Sequence, residues 1–307
     1  MQTGTQILAL LGLFYFALQG YRFLSFIWVY LLRPSSVKKY LHANVQPYAL
    51  VTGATDGIGK AVAKQLYIRG FNLIIHGRNE EKTKQVVNEI KALGGQRDIR
   101  YFLADATKAD HDFQTLLNPF KSLNITIVVN NVGGTPINRS KIDEWSSEEI
   151  MNTVRWNAIF PLHIIHSLLP QLRRAKGPAL VINVGSYAGE TPPPRLSLYA
   201  SSKRFVDTLG WALSIDEEYY TPTNVDFMYL VVGEVSTNAV RKENTLLCPD
   251  ADTFARSVID RIGCGRRRIA PYIFHAMSHW FVESFGEFLR VKIVAEAMRQ
   301  MYHDKKE

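Results

Sequence analysis

The stretch YALVTGATDGIG, from Tyr48 to Gly59, runs a short apolar segment straight into a cluster of glycines. An apolar run of that length, bounded by glycine, reads as a buried strand. Beyond it Ile58, Val62, Leu66 and Ile68 fall at helical spacing, and Gly70 closes the helix. The same unit recurs outward along the chain. Phe71 to Ile75 predicts a second strand, and Glu80 to Leu93 a second helix stopped by Gly94 and Gly95. Arg100 to Ala104, Ile125 to Val129, Ala179 to Val184 and Val225 to Val231 predict further buried strands. Long helical stretches lie between them, chiefly Ser147 to Leu172 and Tyr199 to Tyr219. This alternation predicts an α/β fold, a doubly wound parallel sheet with helices on both faces.

The glycine cluster carries chemistry as well as a turn. Glycines between a first strand and a first helix let the backbone approach a pyrophosphate at the helix N-terminus. Here they read G-x-x-x-G-x-G, so Val51, Gly53, Thr55, Asp56, Gly57, Ile58 and Gly59 are expected to line a dinucleotide. An NAD site shows an acid near the end of the second strand. This chain has His76-Gly77-Arg78-Asn79 there, and Arg78 suits a 2′-phosphate, so NADP(H) is the expected cofactor. Asp105 follows the third strand and is placed to accept from the adenine amino group. Asn130, Asn131 and Gly133 follow the fourth and are placed at the same groove.

The fifth strand ends at Ser186, and Tyr199-Ala-Ser-Ser-Lys203 follows. Tyr199 and Lys203 are four apart and share a helix face. An ammonium beside a phenol is expected to lower the phenol's pKa. Such a tyrosine can hand a proton to a carbonyl oxygen as hydride reaches its carbon, with Ser186 holding the same oxygen.

TGATDGIG at 52–59, NNVG at 130–133, Ser186 and YASSK at 199–203 together resemble the short-chain dehydrogenase/reductase family over about residues 45–245. The resemblance implies a Rossmann-type domain with Tyr199 as acid/base, Lys203 tuning it and holding the nicotinamide ribose, and Ser186 orienting the carbonyl. It also implies that Asn157 supports the proton relay, and that Val235 and Thr237 touch the cofactor. Val232 stands where the family has a proline. The TDGIG and NNVG forms, an apolar N-terminus and the C-terminal half are similar to the fungal branch of very-long-chain 3-oxoacyl-CoA reductases and 17β-hydroxysteroid dehydrogenases. That branch implies an enzyme of the endoplasmic reticulum membrane, facing the cytosol and acting in fatty-acid elongation, with elongation proteins or a second copy as partners. A steroid or secondary-metabolite ketoreductase would carry the same machinery, and an inactive membrane scaffold could keep the fold.

Ile7 to Leu32 is apolar apart from Gln19, Arg22 and Ser25, and as a helix would run about 39 Å, enough to span a bilayer. Arg22 falls near its centre. Neither the basic start nor the small-residue cleavage site of a signal peptide is present. A helix lying in the interface is the other membrane reading. Arg33, Lys38 and Lys39 follow, so the rest is expected to stay cytosolic. Side chains of Lys and Arg outnumber those of Asp and Glu by 36 to 28, a net +8. No zinc-finger spacing, heptad series or basic helix points to nucleic acid, and the charge suits an anionic ligand or membrane surface instead. Two cysteines, Cys248 and Cys264, make neither a disulfide framework nor a metal site. The expected organisation is an anchor over 1–33, a basic linker over 34–47, the catalytic domain over 48–247 and a helical extension over 248–307. Within the extension, 270–294 carries an aromatic stripe that reads as core, a dimer face or an interfacial helix. Lys305 and Lys306 only partly fit a dilysine retrieval signal.

Overall fold

The computed structural model describes residues 2–42, 45–134, 140–240 and 242–303, so the terminal lysines lie outside the described residues. Seven parallel strands form one sheet in the order β3-β2-β1-β4-β5-β6-β7. They are β1 (Pro47–Val51), β2 (Asn72–Gly77), β3 (Ile99–Leu103), β4 (Asn124–Asn130), β5 (Ala179–Val184), β6 (Val225–Leu230) and β7 (Arg268–Ile269). The helices are α1 (Gln2–Ile27), α2 (Gly57–Ile68), α3 (Glu80–Lys91), α4 (Phe113–Leu117), α5 (Ser147–Val154), α6 (Phe160–Arg173), α7 (Ser197–Ile215), α8 (Ala251–Arg261), α9 (Ile273–Glu283) and α10 (Glu287–His303). Central strands are covered on both faces, which is why they read as unbroken apolar runs. On one face α2, α3 and α8 pack against the sheet, and on the other α4 and α6 do. Strand order reverses between β1 and β4. The crevice at the carboxyl ends of those two strands is where this class of sheet binds its ligand.

Packing crosses the expected boundaries at three places. The boundary at 247 cuts through a single core. Phe254, Val258, Ile259 and Ile262 of the α8 region are fully buried beside α2, and β7 extends the sheet next to β6. The basic linker over 34–47 is docked on the domain. A short 3₁₀ helix, Val37–Tyr40, buries Val37 and Tyr40 completely, and Thr126 donates to the Tyr40 carbonyl at 2.8 Å. Lastly, the anchor does not stop where the domain starts. After Ile27 a π turn, Trp28–Leu32, buries Val29 and Tyr30 in the main core. Arg261 of α8, itself buried, donates to the carbonyls of Val29 and Tyr30, and the Tyr30 hydroxyl donates to Ala270 O at 2.6 Å. From Gly4 to Leu24, by contrast, no residue is buried. Gly4–Leu32 is long and apolar enough to cross a membrane, with mean hydropathy 1.5.

Ile273 and Phe274, at the start of the C-terminal aromatic stripe, pack against the core, but its later aromatics do not. Trp280, Phe281 and Phe288 are 65%, 58% and 84% exposed, while His275, Ala276 and Met298 turn inward.

Candidate active site

The glycine loop is held from behind. Gly53 and Gly57 adopt φ of +63° and +51°, backbone that L side chains rarely take. A Cβ on Gly59 would collide with the Gly53 carbonyl and the Asn131 amide, so only glycine lets α2 start this close to the loop. Asp56 caps α2, its carboxylate accepting from Gly57 N at 2.7 Å and from Asn238 Nδ2 at 2.8 Å. Gly53 N donates to His76 Nδ1 at 3.1 Å, which leaves Nε2 to donate to Ala104 O at 3.0 Å. Burial lowers the His76 pKa to about 4, which keeps the ring neutral and the tautomer fixed. Thr52 Oγ1 accepts from the amides of Asn131 and Val132 at 2.9 and 3.1 Å, and Asn131 Nδ2 donates to the carbonyls of Thr52 and Gly53. Asn130 is buried and donates to Asn183 Oδ1 at 3.0 Å. Both asparagine side chains therefore brace the crevice instead of facing it. Val51 is buried, Ile58 packs into the core, and the Thr55 methyl lies against Gly77.

Across the crevice the loop after β6 closes on α2, with Thr237 against Gly57 and Val235 buried. At its other end Arg78 is exposed beside Asp105. Burial pushes the Asp105 carboxyl up, but hydrogen bonds from Thr107 N and Oγ1 to Oδ1, with Arg78 and Lys108 nearby, hold it below its ordinary value. The loop, cap and exposed guanidinium fit a dinucleotide.

Ser186 follows β5 and caps a 3₁₀ turn, its Oγ accepting from Ala188 N at 3.1 Å. Tyr199 and Lys203 lie one turn apart on α7, with the Lys203 ammonium 5.7 Å from the Tyr199 ring centroid. The helix expected over 147–172 is broken by a π turn, Arg155–Ile159, and Asn157 sits in it. Its Oδ1 accepts from Gly134 N at 2.9 Å, and its Nδ2 donates to Gly134 O at 2.8 Å and to Thr153 O at 2.9 Å. A Cβ on Gly133 would stand 2.8 Å from Asn157 Oδ1 and 3.0 Å from Lys203 Nζ, so these residues converge. The sequence model of the short chain dehydrogenase family matches residues 47–246, across all of this machinery. The chain belongs to that family.

Two fungal relatives bear the name very-long-chain 3-oxoacyl-CoA reductase. That of Pyricularia oryzae is 30% identical over 83% of this chain and 77% of its own. That of Kluyveromyces lactis is 34% identical over 77% and 71%. A solved 7β-hydroxysteroid dehydrogenase superposes with a TM-score of 0.71 over 81% of this chain and 96% of its own, at 19% identity, a likeness of fold. This short-chain dehydrogenase is accordingly an oxidoreductase that uses a nicotinamide cofactor.

Its electrostatics differ from the sequence expectation at one point. Burial raises the Tyr199 pKa, and the hydrogen bond with Ser186 is what opposes the rise. Lys203 is buried too. Its ammonium donates to Val184 O at 2.8 Å, and burial lowers its own pKa to about 8. Burial penalises phenolate and ammonium alike. Thr52, His76 and Asn183 brace the crevice from behind through their hydrogen bonds, a part the sequence reading does not give them. Arg195, Leu196 and Leu198 line a small cavity beside Tyr199 with Ile142 and Trp145. Arg195 holds φ +67°, the one left-handed non-glycine among the described residues.

Proposed function

We propose that this short-chain dehydrogenase reduces a long-chain 3-oxoacyl-CoA to the 3-hydroxyacyl-CoA with NADPH, as in fatty-acid elongation, on the cytosolic face of the endoplasmic reticulum membrane. The reductive site joined without a linker to an apolar helix carries this reading, because it holds the chemistry where long acyl chains dissolve. Support for the substrate comes from the names of the fungal relatives. Support for NADPH comes from Arg78 standing where an NAD site would offer an acid.

When bound, the cofactor supplies the hydride that reaches the C3 carbonyl carbon. The protein manages the oxygen. Ser186 Oγ hydrogen-bonds it, and the Tyr199 hydroxyl delivers its proton as the C–O⁻ charge develops, leaving an alcohol and a phenolate. The raised pKa keeps Tyr199 protonated at neutral pH, in the form that can donate. Lys203 would hold the nicotinamide ribose, and Asn157 holds the Gly134 segment against the site. Thr55, the backbone of the glycine loop and Thr237 would cradle the pyrophosphate, with Arg78 on the 2′-phosphate.

In this reading Gly4 to Leu24 spans the bilayer, about 31 Å of helix. Arg22 then lies within a turn of the interface instead of at the centre, and can snorkel to it. Following NADPH oxidation by the full chain in detergent, with 3-oxoacyl-CoAs of increasing length and with steroidal ketones, tests the substrate. Turnover of steroids alone would reassign it, and no turnover of either would favour a scaffold.

A further inference from the structure

Tyr229 projects from β6, is 4% exposed, and reaches over Gly185 to the start of the Ser186 turn. Its hydroxyl accepts from Ser186 N at 3.2 Å and donates to Lys203 O at 3.2 Å. A Cβ on Gly185 would overlap the phenol ring, so the chain keeps a slot for this side chain immediately before the catalytic serine. The Arg268 guanidinium lies 6.0 Å from the ring centroid and is itself held by Glu190 and Asp207.

The hydroxyl stands in for a missing ladder bond. Gly185 N bonds Leu230 O and Tyr187 N bonds Val232 O, both toward β6. The amide of Ser186 alternates to the other side, where β4 has ended opposite Asn183. A buried amide without a partner is costly. Tyr229 supplies the partner and ties it to the turn of α7 that carries Lys203.

We propose that Tyr229 is a positioning residue, setting the spacing between Ser186 and the Tyr199–Lys203 turn through its one hydroxyl. The inference rests on Tyr199 being the acid/base. Because the Ser186 hydroxyl opposes the rise in the Tyr199 pKa, a slack Ser186 leaves the phenol protonated to higher pH.

The test is Tyr229→Phe in the full chain, beside Tyr48→Phe, which removes another tyrosine hydroxyl, bonded to Asp98 at 2.8 Å far from the site. Tyr229→Phe should lower kcat about ten- to a hundredfold for a long-chain 3-oxoacyl-CoA, with the NADPH KM within twofold. The basic limb of the reduction pH profile should move to higher pH, and hydrogen exchange at the Ser186 amide should quicken. Tyr48→Phe should change none of these. A Tyr229→Phe enzyme with wild-type kcat and pH profile overturns the inference, whatever its thermal stability. So does an unchanged Ser186 exchange rate, which needs no turnover to read. An active Tyr199→Phe would instead overturn the acid/base assignment beneath it.

Discussion

Replacing the Tyr199 phenol by phenyl removes a proton while leaving the ring's packing in place. Tyr199→Phe should therefore lower kcat by about 10²–10⁴-fold with NADPH binding retained, measured by turnover and by cofactor fluorescence. Arg78→Glu should turn the preference toward NADH, since losing a charge-assisted bond to the 2′-phosphate is worth about 1.5–3 kcal/mol. Comparing kcat/KM for the two cofactors checks it. His76 makes a pH prediction. Its unfolded pKa is near 6.5 and its folded pKa about 4, so its contribution is fully present above 6.5 and is lost as pH falls through 4. Denaturant titrations at pH 7 and 4.5 should show a steeper loss for wild type than for His76→Gln, which cannot titrate. At this scale Ser186, Tyr199 and Lys203 are legible in sequence because the reaction demands those residue types in that order. The sign of the Tyr199 shift is not. It depends on desolvation, which only packing sets. Tyr229 is equally hidden, because a tyrosine in a strand reads as ordinary core.

Elements meet this chemistry through two irregularities. The π turn at Arg155–Ile159 carries Asn157 within one long helical stretch, and such bulges recur at functional sites. Periodicity cannot show it, because one extra residue in a turn barely disturbs an apolar stripe. The glycine loop is the other, and here the sequence is explicit. Gly59→Ala should be severe although alanine favours helix, because its Cβ has nowhere to go between the Gly53 carbonyl and the Asn131 amide. Loss of NADPH binding with the helix content retained, read by fluorescence and circular dichroism, is the expected result. Wild-type affinity would show that the loop can shift. The six long strands and the main helices from 48 to 231 are legible, and a helical C-terminal extension is too, but β7 and the packing of α8 into the main core are not. β7 is two residues long, and the stripe of Phe254, Val258 and Ile259 sits in a helix that is otherwise polar.

For the whole molecule, the question is where membrane ends and domain begins. Cutting after residue 33 would remove Val29 and Tyr30 from the core and strip the buried Arg261 guanidinium of both carbonyl acceptors. Stranding a buried charge costs several kcal/mol. A chain lacking 1–33 should therefore misfold or melt well below one lacking 2–23, which keeps Leu24 and the docked turn. Thermal melts of the two truncations decide it. The longer-lived truncation then reports on the second apolar surface. Ala270, whose carbonyl accepts from Tyr30 at the root of the anchor, is three residues before α9. The exposed Met277, Trp280 and Phe281 of α9 and Phe288 and Leu289 of α10 thus start beside the point where α1 leaves the domain. If that face rests on lipid, the chain lacking 2–23 should still float with liposomes, and Trp280→Glu with Phe281→Glu should abolish flotation without changing the melt. A truncated chain that stays in solution as a dimer, and becomes monomeric with the same two substitutions, would assign the face to a second copy instead.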